Sequence, residues 1–371
     1  MTAPKAAGSS SFPAAGGVDR APAPAVVAFG GGHGLSVTLA ALTRVTDRLT
    51  AIVTVADDGG SSGRLRAEFP ALLPPGDLRM ALAALAGPDT GGADWAEALQ
   101  HRFPGDGPLG GHAVGNLLLA GLADALGDPV AALDAVGRLV RARGRVLPLA
   151  SVPLDIEADV ALPDGTNAVV RGQHAVAVTQ GAVSAVRLVP AAPPGCPDAM
   201  AAVRGADAIV LGPGSLFSSV VPHLLVPDVR TAVLASPARA VYVLNLVPQP
   251  GETSGFSAAR HLEVLMSHAD WLPLAAVLAD ERALEVSGGR AELERMAAEH
   301  GARVVCAPLA DPADEARHDP VRLAAVLARV LAGTASGEPV AGDERDLSGD
   351  TTPTTARRTA DSGVFPATSA P

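Results

Sequence analysis

Val26-Val27-Ala28-Phe29-Gly30-Gly31-Gly32-His33-Gly34-Leu35-Ser36 sets four apolar residues against four glycines in five positions, followed by an Ala/Leu-rich segment. An unbroken apolar run with β-branched residues is what a strand buried on both faces requires. Glycine then permits backbone conformations closed to other residues and lets the main chain approach an anion closely. The free N–H groups at the start of the next helix favour negative charge, so Gly30, Gly31, Gly32, His33 and Gly34 are predicted to form a phosphate-binding turn. It is not the strict dinucleotide fingerprint. Counted from Gly30 the third glycine position falls on Leu35, and counted from Gly32 it falls on Val37. A tight structural turn between strand and helix is the plain alternative.

Outward from this stretch the same rhythm repeats. Strands are predicted over 25–29, 51–55, 208–211, 241–246, 274–278 and 303–306, and helices over 35–44, 78–86, 117–126 and 257–268. Continuous apolar strands separated by helices predict an α/β fold of the Rossmann type, a mainly parallel sheet with helices on both faces. One region departs from it. Between about 152 and 190, segments 156–162 and 166–171 flank the turn Pro163-Asp164-Gly165 and predict a hairpin within a β-rich excursion. That excursion is expected to pack over a sheet edge or to form an oligomer contact, which makes a homodimer the expected assembly. Residues 1–24 and 333–371 lack periodicity and read as disordered tails around an α/β domain at 25–332.

The polar segments follow the strands. Thr54-Val55-Ala56-Asp57-Asp58-Gly59-Gly60-Ser61-Ser62-Gly63-Arg64 stands at the carboxyl end of the second strand, where an open α/β sheet places its ligand. Asp57 and Asp58 suit ribose hydroxyls or, as a pair, Mg²⁺ held against phosphates. Gly59, Gly60, Ser61, Ser62 and Gly63 offer N–H and hydroxyl donors, and Arg64 or Arg66 an anion clamp. Asp77 reads first as the N-cap of the helix at 78–86, and together with Arg79 as a ligand-positioning pair. His112 and Asn116 sit in a glycine turn before the helix at 117–126; His112 reads as structural or as a base, Asn116 as an amide reader of a sugar or base. In the second half, Gly212, Gly214 and Ser215 follow a strand, as does Asn245, and Glu252 and Thr253 lie in a polar loop where Thr253 or Ser254 is an expected helix cap. Turns of this kind after several parallel strands predict one ligand crevice.

Composition narrows the chemistry. The chain has 371 residues, 48% of them hydrophobic and 3% aromatic, so its core must be built from Ala, Val and Leu. A net charge of −11 argues against nucleic acids and anionic membranes as partners. Lys5 is the only lysine, which excludes a pyridoxal Schiff base and a Walker-type lysine from the core. Two separated cysteines, Cys196 and Cys306, indicate neither a zinc site nor a disulfide framework. No signal-peptide pattern and no membrane-length apolar run are seen, and the cytoplasm is the expected location. No nucleophile–base pair is evident, which favours a binding role over catalysis.

Taken in order, GGGHGLS, VTVADDGGSSGRLR, LPPGDLR, GHAVGNLLLA, GPGSLFSSVVPHLLVP and QPGETSGF resemble the YvcK family of gluconeogenesis factors over about residues 25–330. That family is similar in turn to CofD, the 2-phospho-L-lactate transferase of deazaflavin cofactor synthesis. The resemblance implies a Rossmann-like core, UDP-N-acetylglucosamine as ligand, and a role in growth on gluconeogenic carbon and in cell shape. It implies a nucleotide site on Gly30–Gly34, Asp57–Arg64 and Gly212–Ser215, with Asn245 and the Glu252–Thr253 loop as further members. His33 stands where many members carry threonine, and Met80 where many carry asparagine. A regulator would act on an unidentified protein partner in cell-wall or carbon metabolism. The alternative is a CofD-type transferase in which Asp57 and Asp58 hold Mg²⁺ while a phospholactyl group moves from a nucleotide diphosphate to a deazaflavin.

Overall fold

The computed structural model describes residues 23–87, 91–162, 164–179, 181–287 and 289–336. The expected tails lie outside these residues, apart from 23–24 and from 333–336, which continue the helix Pro320–Ser336.

The first half of the sheet is β1 (Val26–Gly30), β2 (Leu49–Val53) and β3 (Arg145–Pro148). The excursion follows as β4 (Asp155–Ala161), β5 (Asn167–Arg171) and β6 (Ala182–Val189). The second half is β7 (Ala208–Leu211), β8 (Arg239–Val243), β9 (Leu274–Asp280) and β10 (Arg303–Ala307). A short antiparallel pair, β11 (Ala310–Asp311) and β12 (Asp314–His318), closes the set. The seven-stranded sheet runs β10-β9-β8-β7-β1-β2-β3 with every pairing parallel. The expected parallel α/β sheet is therefore present.

The chain winds from β1 outward through β2 to β3, then returns to the other side of β1 and winds outward from β7 to β10. The strand order thus reverses between β1 and β7, the point at which an open α/β sheet places its ligand, beyond the carboxyl ends of the strands. All five residues of β1 and all four of β7 are buried, as strands covered on both faces must be. Phe29, Phe217 and Tyr242 are the large buried aromatics, and Val, Leu and Ala fill most of the remainder. Each fully buried Val or Leu contributes roughly 1.5–3 kcal/mol of transfer free energy.

Helices α1 (Gly32–Leu42), α2 (Gly60–Glu68), α3 (Pro75–Leu85), α4 (Gly92–Gln100), α5 (Val114–Leu126) and α6 (Pro129–Leu139) belong to the first half. Four elements there, β3, α2, α4 and α6, were not expected. β3 has four residues and ends on Pro148, a weak signal that an edge position nonetheless tolerates. Helix α2 forms from Gly60-Ser61-Ser62-Gly63, expected as a polar turn after the second strand, because close packing outweighs its low propensity. A Cβ on Gly63 would lie 2.1 Å from the Asp58 carbonyl oxygen, so only glycine fits.

The excursion is a three-stranded antiparallel sheet, β5-β4-β6, with the short helix α7 (Gln173–Ala177) between β5 and β6. Asp58 after β2 accepts the His174 amide at 3.0 Å, and Gly251 after β8 lies 2.7 Å, measured from its ideal Cβ, from the Thr179 carbonyl oxygen. Arg66 of α2 bridges to Asp155 of β4 at 2.8 Å. The excursion thus spans the loops of both half-sheets.

Candidate functional site

At the reversal point the two glycine turns meet. The Gly34 Cα faces Pro213 so closely that a Cβ there would lie 1.9 Å from the Pro213 carbonyl oxygen. Gly30, Gly32 and Gly214 have φ of 158°, 57° and 137°, values that disfavour any side chain. Helix α1 has Gly31 as its N-cap, which offers no side chain, and its first amide, that of Gly32, faces the Asp77 carboxylate. His33 is exposed at that mouth. A helix start of this kind, at the switch point of a parallel sheet, is suited to a phosphate.

The β7 turn is held from behind. Asn245, just past β8, accepts the Gly214 amide at 2.8 Å and donates its own amide to the Gly214 carbonyl at 2.8 Å. Both polar ends of Asn245 therefore fix a backbone turn. Glu252, 3% exposed, accepts from Ser215 Oγ at 2.5 Å and from the Phe217 amide at 2.7 Å. Burial pushes its carboxyl upward, and these donors oppose the shift. Thr253 accepts the Gln249 amide at 2.9 Å and does not cap a helix; the cap of Ala258–His268 is Ser257, which accepts the Arg260 amide at 3.1 Å.

A second cluster lies beside the first, past β2. Asp77 occupies the first turn of α3 rather than its N-cap, which is Pro74. The hydroxyl of Ser62 instead accepts the Gly76 amide at 3.0 Å, so this helix start is capped from another segment. Asp77 points at the glycine turn: a Cβ on Gly31 would stand 2.5 Å from its Oδ2, which has no partner. Burial, reinforced by Asp57, raises the Asp77 carboxyl to about 7. Asp57 accepts the Gly59 amide at 3.0 Å. Ser61, His112 and Asn116 are all buried: Ser61 Oγ lies 2.9 Å from His112 Nδ1 and accepts from Asn116 Nδ2 at 3.0 Å. Burial, with Arg64 next in weight, pushes His112 below the usual imidazole range. Sequence reading alone found no hydroxyl–imidazole pair, because these partners lie 51 residues apart.

Two predicted residues are turned elsewhere. Asp58 is committed to the His174 amide, and Arg64 donates to the Gly110 carbonyl at 2.8 Å. Among the described residues no group of three or more His, Cys, Asp or Glu side chains is placed to hold a metal. Asp57 and Asp58 each accept one backbone amide on Oδ1, from Gly59 and from His174.

A family model described as "2-phospho-L-lactate transferase CofD" matches residues 26–311. A Mycobacterium tuberculosis H37Rv relative is 52% identical over 324 residues, covering 85% of this chain and 93% of its own. The gluconeogenesis factor of Bacillus subtilis is 41% identical over 245 residues, covering 66% of this chain and 75% of its own. The crystal structure of a UPF0052-family protein from Bacillus halodurans superposes with a TM-score of 0.71 at 34% identity, covering 81% of this chain and 97% of that one. The chain therefore belongs to the CofD family, within the branch whose relatives carry the name gluconeogenesis factor.

Proposed function

We propose that this protein is a nucleotide-sugar-binding regulator, with UDP-N-acetylglucosamine as its ligand, required for growth and cell shape on gluconeogenic carbon. The observation that carries the reading is the meeting of the Gly30–Gly34 and Gly212–Ser215 turns at the point where strand order reverses. The glycine-built start of α1 suits the diphosphate there, while Asn245 and Glu252 hold the opposing turn rigid. In this reading the protein acts in the cytoplasm, passes the ligand's presence to a protein partner in cell-wall or carbon metabolism, and leaves the ligand unchanged. No described helix is long and apolar enough to cross a membrane.

Calorimetric titration with UDP-N-acetylglucosamine, with and without Mg²⁺, tests the reading, with UDP-glucose and NAD⁺ as controls. Binding that is independent of the metal, with the ligand recovered intact, is the expected result. A strain lacking the gene is expected to grow normally on glycolytic sugars and to lose shape on gluconeogenic carbon. Consumption of the nucleotide-sugar overturns the regulator reading.

The second reading is the transferase for which the family is described: a phospholactyl group would pass from a nucleotide diphosphate to a deazaflavin acceptor. The commitment of Asp58 to the His174 amide counts against the metal pair it was expected to use. Product formation, with release of the nucleotide, from a phospholactyl-bearing nucleotide donor, a deazaflavin acceptor and Mg²⁺ would establish it.

A further inference from the structure

The sequence reading gathers all the polar turns into one crevice, yet the structure holds an unsatisfied cation beside it. Arg79 is 4% exposed, and neither its Nε nor its Nη1 has a hydrogen-bond partner. No ion pair among the described residues includes it; Asp57 and Asp77 act on it only as charges at longer range. A buried guanidinium left this way is costly unless something pairs with it. Its stem lies across the first turn of α5: a Cβ on Gly115 would stand 2.8 Å from Arg79 Cγ and 3.0 Å from Cδ. Exposed Arg102, whose neighbouring charge Arg79 also feels, adds positive potential on the same side.

The hydroxyl of Ser61 lies in the first turn of α2, within reach of both His112 and Asn116. When His112 carries its proton on Nδ1, His112 and Asn116 both donate into Ser61 Oγ, and the hydroxyl proton is free for a third group. When the proton is on Nε2, Ser61 donates to His112 instead and offers no proton elsewhere. The Ser61 hydroxyl proton can therefore point to a bound anion or to His112, according to the His112 tautomer.

We propose that Arg79 and Ser61, set by Asn116 and His112 at the starts of α2 and α5, form a second oxyanion subsite, distinct from the glycine turns at the β1/β7 switch point. Its ligand is a compact oxyanion, the phosphate or carboxylate of a second molecule or of a distal group. Ser61 lies in the Asp57–Arg64 segment that the family resemblance assigns to the nucleotide, but none of the subsite residues belongs to the Gly34–Pro213 contact that carries the nucleotide-sugar reading.

Inorganic phosphate and acetate are the probes, added to the full chain while the ring resonances of His112 are followed by NMR. Either probe is expected to shift those resonances saturably. Phosphate alone marks a phosphoester ligand and acetate alone a carboxylate. Arg79→Gln and Ser61→Ala are each expected to weaken the response by about tenfold or more, the loss typical of a hydrogen bond to a charged group. Asn245→Ala, in the neighbouring crevice, should leave it unchanged. No response to either probe overturns the proposal, as does a response that survives both subsite substitutions or vanishes only with Asn245→Ala. If Arg79→Gln does not fold, Ser61→Ala decides: undiminished affinity there overturns the subsite. A failed nucleotide titration alongside a saturable phosphate response would remove the first reading and leave this one standing.

Discussion

Gly34 and Pro213 touch backbone to backbone across the two halves of the sheet, leaving no room for even a methyl group between them. Neither side is a flexible side-chain end that can swing aside. Gly34→Ala is therefore expected to destabilise the fold by about 1–3 kcal/mol, as overpacking does. It should also widen the crevice and abolish nucleotide-sugar binding. Urea denaturation and calorimetry on the same sample check both effects, and wild-type values in both would contradict the contact.

Glu252 organises the β7 turn from a loop that follows β8. Replacing it with Ala removes the one oxygen, Oε1, that accepts from both the Ser215 hydroxyl and the Phe217 amide. A loss of about 1–3 kcal/mol is expected, the cost of leaving a buried donor unsatisfied. Amide exchange over residues 214–220 should accelerate in step. Exchange that quickens only around residue 252 would show that the turn stands without this carboxylate.

The Asp77 carboxyl is raised from 3.8 to about 7, so its contribution to stability is complete below about pH 4 and is lost as pH climbs to about 7. Asp77→Asn removes this titration. Relative to wild type, the variant should gain stability between pH 4 and pH 8 by roughly 2–4 kcal/mol, from three pKa units at 1.36 kcal/mol each. Denaturation midpoints at the two pH values give the answer; a constant difference would mean that Asp77 ionises freely.

Asp58→Ala removes the acceptor of the His174 amide without touching the switch point. Global stability should fall by only about 1 kcal/mol. The local effect is larger: hydrogen exchange at residues 172–177 should rise well above that of β1 and β7. Retained Mg²⁺-independent ligand binding in this variant would separate the excursion's tether from the ligand contacts.

Much of this arrangement is legible in the chain itself. Gly30–Gly34 and Gly212–Ser215 declare themselves because each follows a continuous apolar run, and a parallel sheet leaves such turns little choice of position. Helix α2 stays hidden because glycine and serine are poor helix formers and its support comes from Asp58 and Gly76, outside the helix. The pairing of Ser61 with His112 is hidden for another reason. It depends on α2 and α5 converging, and nothing local to either segment records that. Asp77 shows both limits: its place at a helix start is readable, whereas its aim at Gly31 is a tertiary fact.

Between β3 and β7 the chain must pass from one half-sheet to the other, and it does so through the excursion anchored at Asp58 and Gly251. Whatever the crevice holds would therefore be gripped by segments from both sides of that crossing. Such a guest acts as a stitch: it ties together parts of the chain that were made at different times and that also meet along the β1–β7 pair, through the packing of the Pro320–Ser336 helix on α1, and at the buried contact of His223 with the Ile52 carbonyl. On the reading proposed above, binding and release of the guest would act on this seam, where segments of both halves meet it.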